Sequence, residues 1–510
     1  MKKLVSLLFH RVVLVAVFLI IQIAVLVVML LRFNEFFLPF YGVCVALSVA
    51  AVFWIVNRSS EPAYKIAWIV PILIFPIFGG LFYLLFGGSR LSKRTRRKME
   101  GMDRKMLEVL GPDFKAESII HFGEDAVHQA RYLEHVAHCP VYGGTETEYF
   151  PLGEDCFARM VEELKKAERY IFLEYFIIED GVMWDTILDI LTEKVRAGVD
   201  VRVMYDDIGS MFTLPRDYAA ELEKRTGIQC CVFNPFVPIL SLRLNNRDHR
   251  KILVIDGKVA FTGGINLADE YINQKVRYGH WKDSAILVRG EAAWSMTVMF
   301  LTLWDYTREV GDENYDDFRP VWRERVEGQG FVQPYTDNPL DQEAVGQSVY
   351  LNLINRARRY VYITTPYLIV DDSMNTALCI AAKSGVDVRI MTPHIPDKKV
   401  VFEVTRAHYA PLLEAGVKIY EYTPGFVHAK NFAVDDKFGT VGTVNLDYRS
   451  LFLHFENGVW LCGDPTVRDI KADFLATLEQ CQPVTLAESR ALPWWRKAYR
   501  AVLRVFAPLM

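Results

Sequence analysis

A motif that occurs twice constrains this chain more than any other feature. The spacing His-x-Lys-x4-Asp is present in two copies, whose members are His249, Lys251 and Asp256, then His428, Lys430 and Asp435. A single copy would mean little, because three common residues reach a fixed spacing by chance in roughly a few per cent of chains of this length. The second copy indicates an internal repeat that carries chemistry.

The repeat extends beyond the motif. A Gly-Gly pair and then Asn266 follow the first histidine, and Gly-Thr and Asn445 follow the second histidine at the same offsets. Upstream, the segments 198–202 and 385–389 have identical sequences. Apolar spacing and turn residues predict helices at 155–167, 183–197 and 372–384, and strands at 170–178, 199–205 and 360–369.

Two copies of one α/β unit predict two lobes related by a pseudo-twofold axis, with the motifs facing each other across the seam. We place the lobes at 136–325 and 326–490. The net charge of −4 argues against a chain that binds nucleic acid over its whole surface, so no nucleic-acid partner is expected. The eight scattered cysteines predict free thiols, since they show neither metal-ligand spacing nor the pattern of a disulfide framework.

Each motif can place its side chains around a phosphate. His249 and Lys251 are two residues apart, so they share one face of an extended chain, and the second copy does the same. Ammonium and carboxamide donors suit phosphate oxygens, and the candidate donors are Lys251, Lys430, Asn266 and Asn445. One imidazole can attack phosphorus, and the other can protonate the leaving oxygen and later deprotonate the acceptor.

Four carboxylates accompany the histidines. Asp283 and Glu456 each lie seven residues before a glycine that ends a predicted strand, so we treat them as equivalent. We expect each carboxylate to accept a hydrogen bond from the imidazole N–H that points away from the phosphate, which fixes the tautomer. Asp256 and Asp435 belong to the candidate catalytic motifs, but their position predicts that they brace the lobes. No metal or other cofactor is expected, because the lysines supply the positive charge.

The first ninety residues contain three uncharged apolar runs, at 12–31, 37–56 and 66–86. Runs of this length can cross a hydrocarbon core of about 30 Å, so a membrane region is expected at 1–89 with two or three hydrophobic segments. The third run is broken by prolines and glycines. Two topologies are compatible with the sequence: three full crossings, or two crossings with a re-entrant third segment. The positive-inside rule leaves the lobes cytoplasmic in either case.

Two charged segments flank the lobes. Residues 90–135 form a basic, helix-prone linker whose start can rest on anionic lipid headgroups. Residues 491–510 predict an amphipathic helix with a basic arc opposite Trp495 and Val502, of the kind that lies in a bilayer interface. Docking of this helix on its own domain is the alternative.

Other titratable residues receive no function from the sequence. His280, His394, His408 and His454 are expected to be structural. The pair Asp206-Asp207 after a predicted strand fits the lining of the cleft and a solvated turn equally well.

The two motifs resemble the signature of the phospholipase D superfamily, and within it the bacterial cardiolipin synthase family. Further matches span most of the chain and include Thr-Pro-Tyr at 365–367, Asn-Leu-Asp-Tyr-Arg-Ser at 445–450, Phe-Glu-Asn at 455–457 and Pro-Trp-Trp at 493–495. The resemblance implies two lobes of mixed sheet flanked by helices, preceded by transmembrane helices. The run at 12–31 is an addition where family members commonly have two hydrophobic segments.

The resemblance also implies a reaction. A histidine attacks the phosphorus of phosphatidylglycerol, glycerol leaves, and the hydroxyl of a second phosphatidylglycerol takes the phosphatidyl group to give cardiolipin. In the superfamily the first-motif histidine is often the nucleophile, which indicates His249 with His428 as acid and base; the sequence alone permits the reverse. A hydrolase, a transferase to another alcohol such as ethanolamine, a nucleic-acid phosphodiesterase and an inactive lipid-binding scaffold are the alternatives.

Overall fold

The structure is a computed structural model that describes residues 24, 27–28, 37–58, 61–76, 83, 93–236, 245–309, 314–322, 326–341 and 343–509. The chain divides into two units. The first holds residues 1–90 with the segment 236–245, and the second holds almost all of the remainder. Apart from residues 24, 27 and 28, the predicted apolar run at 12–31 lies outside the described residues.

The N-terminal unit contains two described helices. Helix α1 (Phe37–Val56) consists of 20 residues without a charged side chain, and α2 (Pro62–Ile74) contains Pro71. A small apolar cluster fills this unit and consists of Ile55, Trp68, Ile72 and Tyr83. Within the described part of the chain, no helix combines the length and the apolar character that a membrane crossing needs.

The second unit contains two mixed sheets. The strands of the first sheet are β1 (Thr145–Phe150), β2 (Tyr170–Tyr175), β3 (Asp200–Asp206), β4 (Gln229–Phe233), β6 (Ile252–Ile255), β7 (Val259–Gly263) and β9 (Ala285–Gly290). They follow the order β1-β9-β7-β6-β2-β3-β4, in which only the pairs β2–β3 and β3–β4 are parallel. Every residue of β2 is buried, as expected for a strand covered on both faces.

The second sheet repeats this plan. Its strands are β10 (Phe331–Asp337), β11 (Tyr360–Thr364), β12 (Asp387–Pro393), β13 (Lys418–Tyr422), β15 (Asn431–Val434), β16 (Phe438–Gly442), β17 (His454–Cys462) and β18 (Cys481–Val484). Its main path is β10-β17-β16-β15-β11-β12-β13-β18, and β11–β12 and β12–β13 are the parallel pairs. The two mixed sheets confirm the predicted pair of α/β lobes.

Three short strands lie at the seam between the sheets. They are β5 (Arg247–Asp248), β8 (His280–Lys282) and β14 (Gly425–Val427). Strand β5 of the first lobe pairs in parallel with the start of β17, and β14 of the second lobe pairs in parallel with β8. The lobes are therefore joined by main-chain hydrogen bonds immediately before each motif histidine.

Helices cover the sheets and fill the space between them. In chain order they are α3 (Lys93–Leu110), α4 (Glu124–Val136), α5 (Gly153–Lys165), α6 (Val182–Arg196), α7 (Tyr218–Thr226), α8 (Ala293–Arg308), α9 (Val345–Arg356), α10 (Asp372–Lys383), α11 (Lys399–Ala407), α12 (Tyr409–Ala415), α13 (Tyr448–Phe452), α14 (Thr466–Leu478), α15 (Leu486–Arg490) and α16 (Trp494–Phe506). Helix α8 is apolar around most of its circumference and is buried from Ala293 to Trp304, so it forms the centre of the core.

The segment expected to be a linker is an integral part of the fold. Helices α3 and α4 place Met99, Met106, Leu110 and Leu133 in the same apolar core as α8 and residues of both sheets. The contribution of α3 to the core is not evident from its composition, because its exposed face carries many charged residues. The prediction of helix in this region is confirmed, and the packing is what the sequence did not indicate.

Candidate active site

The seam strands position both motif histidines. The backbone N–H of His249 donates to the carbonyl of Phe455 (2.9 Å), and the N–H of His428 donates to the carbonyl of Lys282 (2.7 Å). Each histidine is thus fixed by the strand of the other lobe. Both are largely buried, with 8% and 7% of their surface exposed, so little of either imidazole meets open solvent.

Each imidazole meets a carboxylate from the opposite lobe. His249 Nδ1 lies 2.9 Å from Glu456 Oε1 and 3.0 Å from Oε2, and His428 Nδ1 lies 2.7 Å from Asp283 Oδ2. Asp283 and Glu456 therefore occupy the positions expected of carboxylates that orient the imidazoles, and they do so by exchange between the lobes. Since the Nδ1 atoms are engaged, Nε2 is the ring nitrogen left to meet a substrate.

The two lysines lie beside their own histidines. Lys251 Nζ donates to the carbonyl of His249 (2.7 Å), and Lys430 Nζ lies 2.9 Å from Nδ1 of His428 and also donates to its carbonyl. Burial lowers the pKa of Lys251 to about 7 and that of Lys430 to about 8. An anion in the cleft would restore their full charge, because a nearby negative charge favours the protonated form.

The histidines are poised in the neutral form. Burial, followed by the charge of Lys251, lowers the pKa of His249 well below its ordinary value. Burial and Lys430 lower the pKa of His428 to about 4, although the negative charge of Asp283 acts in the opposite direction. A neutral imidazole has the lone pair that a nucleophile needs.

The two orienting carboxylates differ electrostatically. Burial raises the pKa of Glu456 well above its ordinary value, and the nearby Lys251 offsets this only in part. Burial also acts to raise the pKa of Asp283, but the charges of His428 and Lys430 outweigh it, so the net shift is downward. The His428 side of the site therefore has the more firmly ionised carboxylate, and this breaks the near-symmetry of the two motifs.

The motif aspartates lie at the far ends of their strands. Asp256 follows β6 with a φ of 53°, and its carboxylate accepts hydrogen bonds from the backbone N–H groups of Glu168, Arg169 and Tyr170 at 2.7–2.9 Å. Asp435 follows β15 and binds the N–H groups of residues 358–360 in the same way. The structure does not bring these carboxylates to the histidines. Each one instead accepts hydrogen bonds at the start of a central strand, β2 in the first lobe and β11 in the second.

The two motif asparagines are held differently. Asn266 is fully engaged, because its Oδ1 accepts from the N–H of Ile177 (3.0 Å) and its Nδ2 donates to the hydroxyl of Tyr271 (2.7 Å). The Oδ1 atom of Asn445 is buried, and no hydrogen-bond partner for it is found among the described residues. This unpaired atom is an acceptor, so a contact of Asn445 with a phosphate would have to come from its Nδ2 donor.

A third histidine belongs to this site, and the sequence reasoning missed it. His454 was expected to be structural, but its ring centroid lies 5.6 Å from that of His249 and its Nδ1 lies 3.8 Å from Glu456 Oε1. The signal was present, since His454 precedes Glu456 by two residues and so shares its face of β17. Thr443 is a further contact, because its hydroxyl donates to Glu456 Oε2.

The remaining predicted residues have ordinary structural partners. His280 Nδ1 lies 2.9 Å from the Tyr422 hydroxyl, His394 Nδ1 lies 2.9 Å from Glu421, and His408 Nδ1 lies 2.9 Å from the Val404 carbonyl. Asp206 is completely buried and accepts from the N–H groups of Ile208, Gly209 and Asp248, so a solvated turn is the wrong description of this residue.

Among the residues that the structure describes, one group of side chains could hold a metal ion on geometric grounds. His249, His454 and Glu456 offer ligand atoms that all lie within 4.8 Å of one another. The sequence did not indicate this group, because its members come from both lobes.

Comparison with known proteins agrees with this geometry. A family described as "Cardiolipin synthase, PLD-like domain" matches residues 160–294 and 350–478, and one described as "Phospholipase_D-nuclease N-terminal" matches residues 46–88. The two matched segments of the first family contain the two motifs, one in each lobe.

Individual relatives cover nearly the whole chain. An uncharacterized protein of Streptococcus mutans is 45% identical over 91% of this chain and 100% of its own length. A cardiolipin synthase of Geobacillus sp. strain WCH70 is 36% identical over 92% of both chains. Among solved structures, phosphatidylserine synthase of Haemophilus influenzae shares the fold, with a TM-score of 0.55 and 15% identity over 74% of this chain and 97% of that one. The chain therefore belongs to the cardiolipin synthase family of the phospholipase D superfamily.

Proposed function

We propose that this protein is a cardiolipin synthase, which transfers a phosphatidyl group from one phosphatidylglycerol molecule to another and releases glycerol. The observation that carries the proposal is the pair of buried histidines, each hydrogen-bonded at Nδ1 to a carboxylate of the other lobe. Two imidazoles held in this way provide one nucleophile and one proton-transfer group. Relatives that carry the name cardiolipin synthase over 92% of this chain support the choice of substrate.

The reaction has two steps. In the first, Nε2 of His249 forms a bond to phosphorus and the phosphorus–oxygen bond to glycerol breaks. The leaving oxygen takes its proton from His428, whose protonated form is favoured by the negative charges of Asp283 and of the bound phosphodiester. In the second, His428 takes a proton from the terminal hydroxyl of the second phosphatidylglycerol. The hydroxyl oxygen then bonds to phosphorus, and the phosphorus–nitrogen bond to His249 breaks.

The electrostatic asymmetry supports this assignment of roles. The pKa of His249 is lowered by burial and then by the charge of Lys251, which keeps the imidazole neutral, as a nucleophile requires. His428 has the carboxylate with the lowered pKa behind it, and an ionised carboxylate stabilises the imidazolium that an acid and base must form.

The lysines and Asn445 are the candidate ligands of the transferred phosphate. Lys251 and Lys430 are each only 1% exposed, so they hold their ammonium groups in a site of low dielectric. Donors fixed in such a site stabilise developing negative charge more strongly than donors in water. Asn266 acts through Tyr271 and the backbone of Ile177, so we assign it a positioning role in the first lobe.

We further propose that the lobes, 136–325 and 326–490, act on the cytoplasmic side of a membrane that the N-terminal region spans more than once. The match of residues 46–88 to the N-terminal family and the basic residues after position 89 support this proposal. A lipid substrate requires a cleft that opens at the bilayer and excludes water.

Helix α16 provides a second attachment in this proposal, although it is also docked on its own domain. Arg496 and Arg500 bind Glu403 of α11, the Arg500 bond being 2.8 Å, so these basic side chains face the protein. The face left exposed carries aromatic and apolar groups, which are Trp494 (81%), Trp495 (57%), Tyr499 (43%) and Val502 (56%). Tryptophan and tyrosine are the residues favoured at the level of lipid headgroups.

Incubation of the full-length protein in nanodiscs with phosphatidylglycerol as the sole phospholipid tests the proposal. Equimolar cardiolipin and glycerol are the expected products. Phosphatidic acid in place of cardiolipin would identify a hydrolase, and the absence of turnover would refute the enzymatic function. Addition of ethanolamine tests the acceptor, because formation of phosphatidylethanolamine at a higher rate than cardiolipin would identify a different transferase.

A further inference from the structure

The two sides of the catalytic pair carry different residues at equivalent positions. The register of the seam strands pairs Arg247 with His454 beside His249. The equivalent register pairs Phe426 with Trp281 beside His428. The Trp281 and Phe426 rings lie 5.0 Å apart, and Trp281 lies 5.4 Å from the ring of His428. One side of the site is therefore aromatic, and the other holds a cation and an imidazole.

The cationic side contains polar atoms without partners. Among the described residues, neither ring nitrogen of His454 has a hydrogen-bond partner, and Nη1 of Arg247 has none either, although these atoms are buried. A buried polar atom left unpaired destabilises the fold, so native structures keep few of them. These atoms are consistent with a site that receives a polar ligand.

Positive charge surrounds His454. Burial, followed by the charges of Arg449, Lys251, Arg247 and Lys398, lowers the pKa of this histidine well below its ordinary value. Lys398 is exposed over 66% of its side chain and lies 3.9 Å from Asp397, and no ion pair of Arg449 is found in the described part of the chain.

Acidic groups offset this charge only in part. Asp206 lies 3.4 Å from Arg247, and Glu456 lies 3.8 Å from His454 Nδ1. Burial raises the pKa of Glu456 and of Asp447, which opposes their ionisation. Arg247 also faces Asp207 and Asp248, whereas no ion pair of Arg449 is found in the described part of the chain. The cations left to meet an anion are therefore Arg449 and the exposed Lys398.

We propose that Lys398 and Arg449, backed by His454 and Arg247, bind the phosphodiester of the second phospholipid, the one that accepts the phosphatidyl group. This inference rests on the proposed function and extends it to acceptor choice. Phosphatidylglycerol carries a phosphodiester three carbons from its attacking hydroxyl, whereas water, ethanolamine and glycerol carry none. A cationic subsite next to the catalytic phosphate site therefore selects an anionic lipid alcohol.

Lys398 and Arg449 stand on the lobe that carries the proton-transfer group. The loop that contains Lys398 also contains Asp397, whose charge reaches Lys430, as does the charge of Asp447 at the start of α13. Arg449 lies in the first turn of α13. Lys398 Nζ lies 5.5 Å from the centre of the Tyr367 ring, and that ring lies 6.5 Å from Phe426, the neighbour of His428. Lys398 therefore stands toward the side of His428, from which the acceptor hydroxyl must approach phosphorus.

The test compares two acceptors in full-length protein in nanodiscs. Cardiolipin formation measures transfer to phosphatidylglycerol, and incorporation of labelled glycerol into phosphatidylglycerol measures transfer to an alcohol without a phosphate. In Arg449→Gln and Lys398→Gln we expect the ratio of the first rate to the second to fall by about tenfold or more, the size of a lost hydrogen bond to a charged group.

Lys383→Gln is the matched control and should keep the wild-type ratio. Lys383 ends α10 before β12 begins, and Lys398 follows the end of β12, so the two lysines lie at opposite ends of a seven-residue strand. An unchanged ratio in both variants would overturn the subsite, whether the two rates stay the same or fall together. If the wild type performs neither reaction, the proposed function fails, and this outcome is distinct from failure of the subsite.

Inorganic phosphate distinguishes a lipid headgroup from a free anion. We expect phosphate at tens of millimolar to leave wild-type cardiolipin formation unchanged. Inhibition of cardiolipin formation in the wild type but not in Arg449→Gln would assign the subsite to free phosphate and overturn the lipid assignment. Zinc binding that is lost in a His454→Phe variant would instead support a metal site and contradict the anion site.

Discussion

Glu456 holds His249 across the seam of the two lobes: Oε1 lies 2.9 Å from Nδ1, although the residues are 207 positions apart in the chain. His428 and Asp283 make the reciprocal contact. Neither lobe therefore contains a complete histidine–carboxylate pair of its own. The active site exists only when both lobes are folded and joined. The main-chain pairing of β5 with β17 and of β14 with β8 makes this join.

The two orienting carboxylates should respond differently to neutralisation. The pKa of Asp283 is lowered by His428 and Lys430 against the opposing effect of burial, so its negative charge supports protonation of His428. In Asp283→Asn we expect kcat at neutral pH to fall about a hundredfold or more. The limb of the pH profile that requires protonated His428 should move to lower pH, because the pKa of His428 loses the influence that raises it.

Glu456→Gln is the matched comparison for this experiment. The pKa of Glu456 is raised well above its ordinary value, by burial first, so the substitution removes less negative charge. We expect a loss of kcat with little displacement of the pH profile, measured as kcat between pH 5 and 9. A larger displacement in Glu456→Gln than in Asp283→Asn would reverse the roles of the two histidines.

Lys251→Met should stabilise the fold while it abolishes turnover. The pKa of Lys251 is lowered from 10.5 to about 7 by burial, so the unfolded chain holds a proton more tightly than the native one. Below about pH 7 the destabilisation is complete, on the order of a few kcal/mol, and it disappears as the pH rises toward 10.5. Denaturant unfolding of the variant should therefore show its largest gain near pH 6 and a vanishing gain near pH 10. A variant that is less stable than wild type at pH 6 would contradict this interpretation.

Removal of the motif aspartates should damage stability rather than chemistry. Asp256→Ala leaves three backbone N–H groups without their acceptor, and the N–H of Tyr170 among them is buried. We expect a loss of roughly 2–4 kcal/mol in unfolding free energy, with kcat of the folded fraction at low temperature within about threefold of wild type. Asp435→Ala should cost less, since two of its three N–H partners are exposed. A large loss of kcat without a loss of stability would make Asp256 part of the chemistry.

Most of the site was predictable because it is repeated in the sequence. The motif spacing predicted His249, Lys251, His428 and Lys430, which the structure brings together. The offset to a strand-ending glycine predicted Asp283 and Glu456, which contact the two imidazoles. Which carboxylate serves which histidine was not predictable. The exchange depends on seam strands of two or three residues, and strands this short show no alternation of apolar and polar residues.

The role of the segment 90–135 was hidden by its charge. Its helix α3 has apolar residues at 99, 102, 106 and 110, spaced to form one face that packs into the core with α8. The abundant lysine and arginine of the opposite face gave the segment the composition of a linker. His454 was missed for a different reason. It shares a face of β17 with Glu456, but Arg247 and His249 come from the other lobe, so the sequence did not show which residues this face meets.

Helix α16 predicts a measurable contact with lipid. Trp494 and Trp495 are 81% and 57% exposed and share the face with Tyr499, so brominated phosphatidylglycerol in nanodiscs should quench part of the tryptophan fluorescence. Trp494→Phe with Trp495→Phe should remove most of that quenchable component, whereas Ile380→Ser, on the exposed face of α10, should leave it unchanged. Equal quenching in wild type and double variant would mean that α16 only docks on its own domain.

The identity of the nucleophile is the central claim. Peptide mapping by mass spectrometry tests it most directly, after a denaturing quench at mildly alkaline pH that preserves the acid-labile phosphorus–nitrogen bond. We expect His249→Ala and His428→Ala each to reduce cardiolipin formation by at least about a thousandfold, because general acid–base and nucleophilic groups contribute on this scale. After brief incubation with phosphatidylglycerol, His428→Ala should carry a phosphatidyl group on the peptide that contains His249, and His249→Ala should carry none. A phosphatidyl group on His428 in the His249→Ala protein would contradict the assignment.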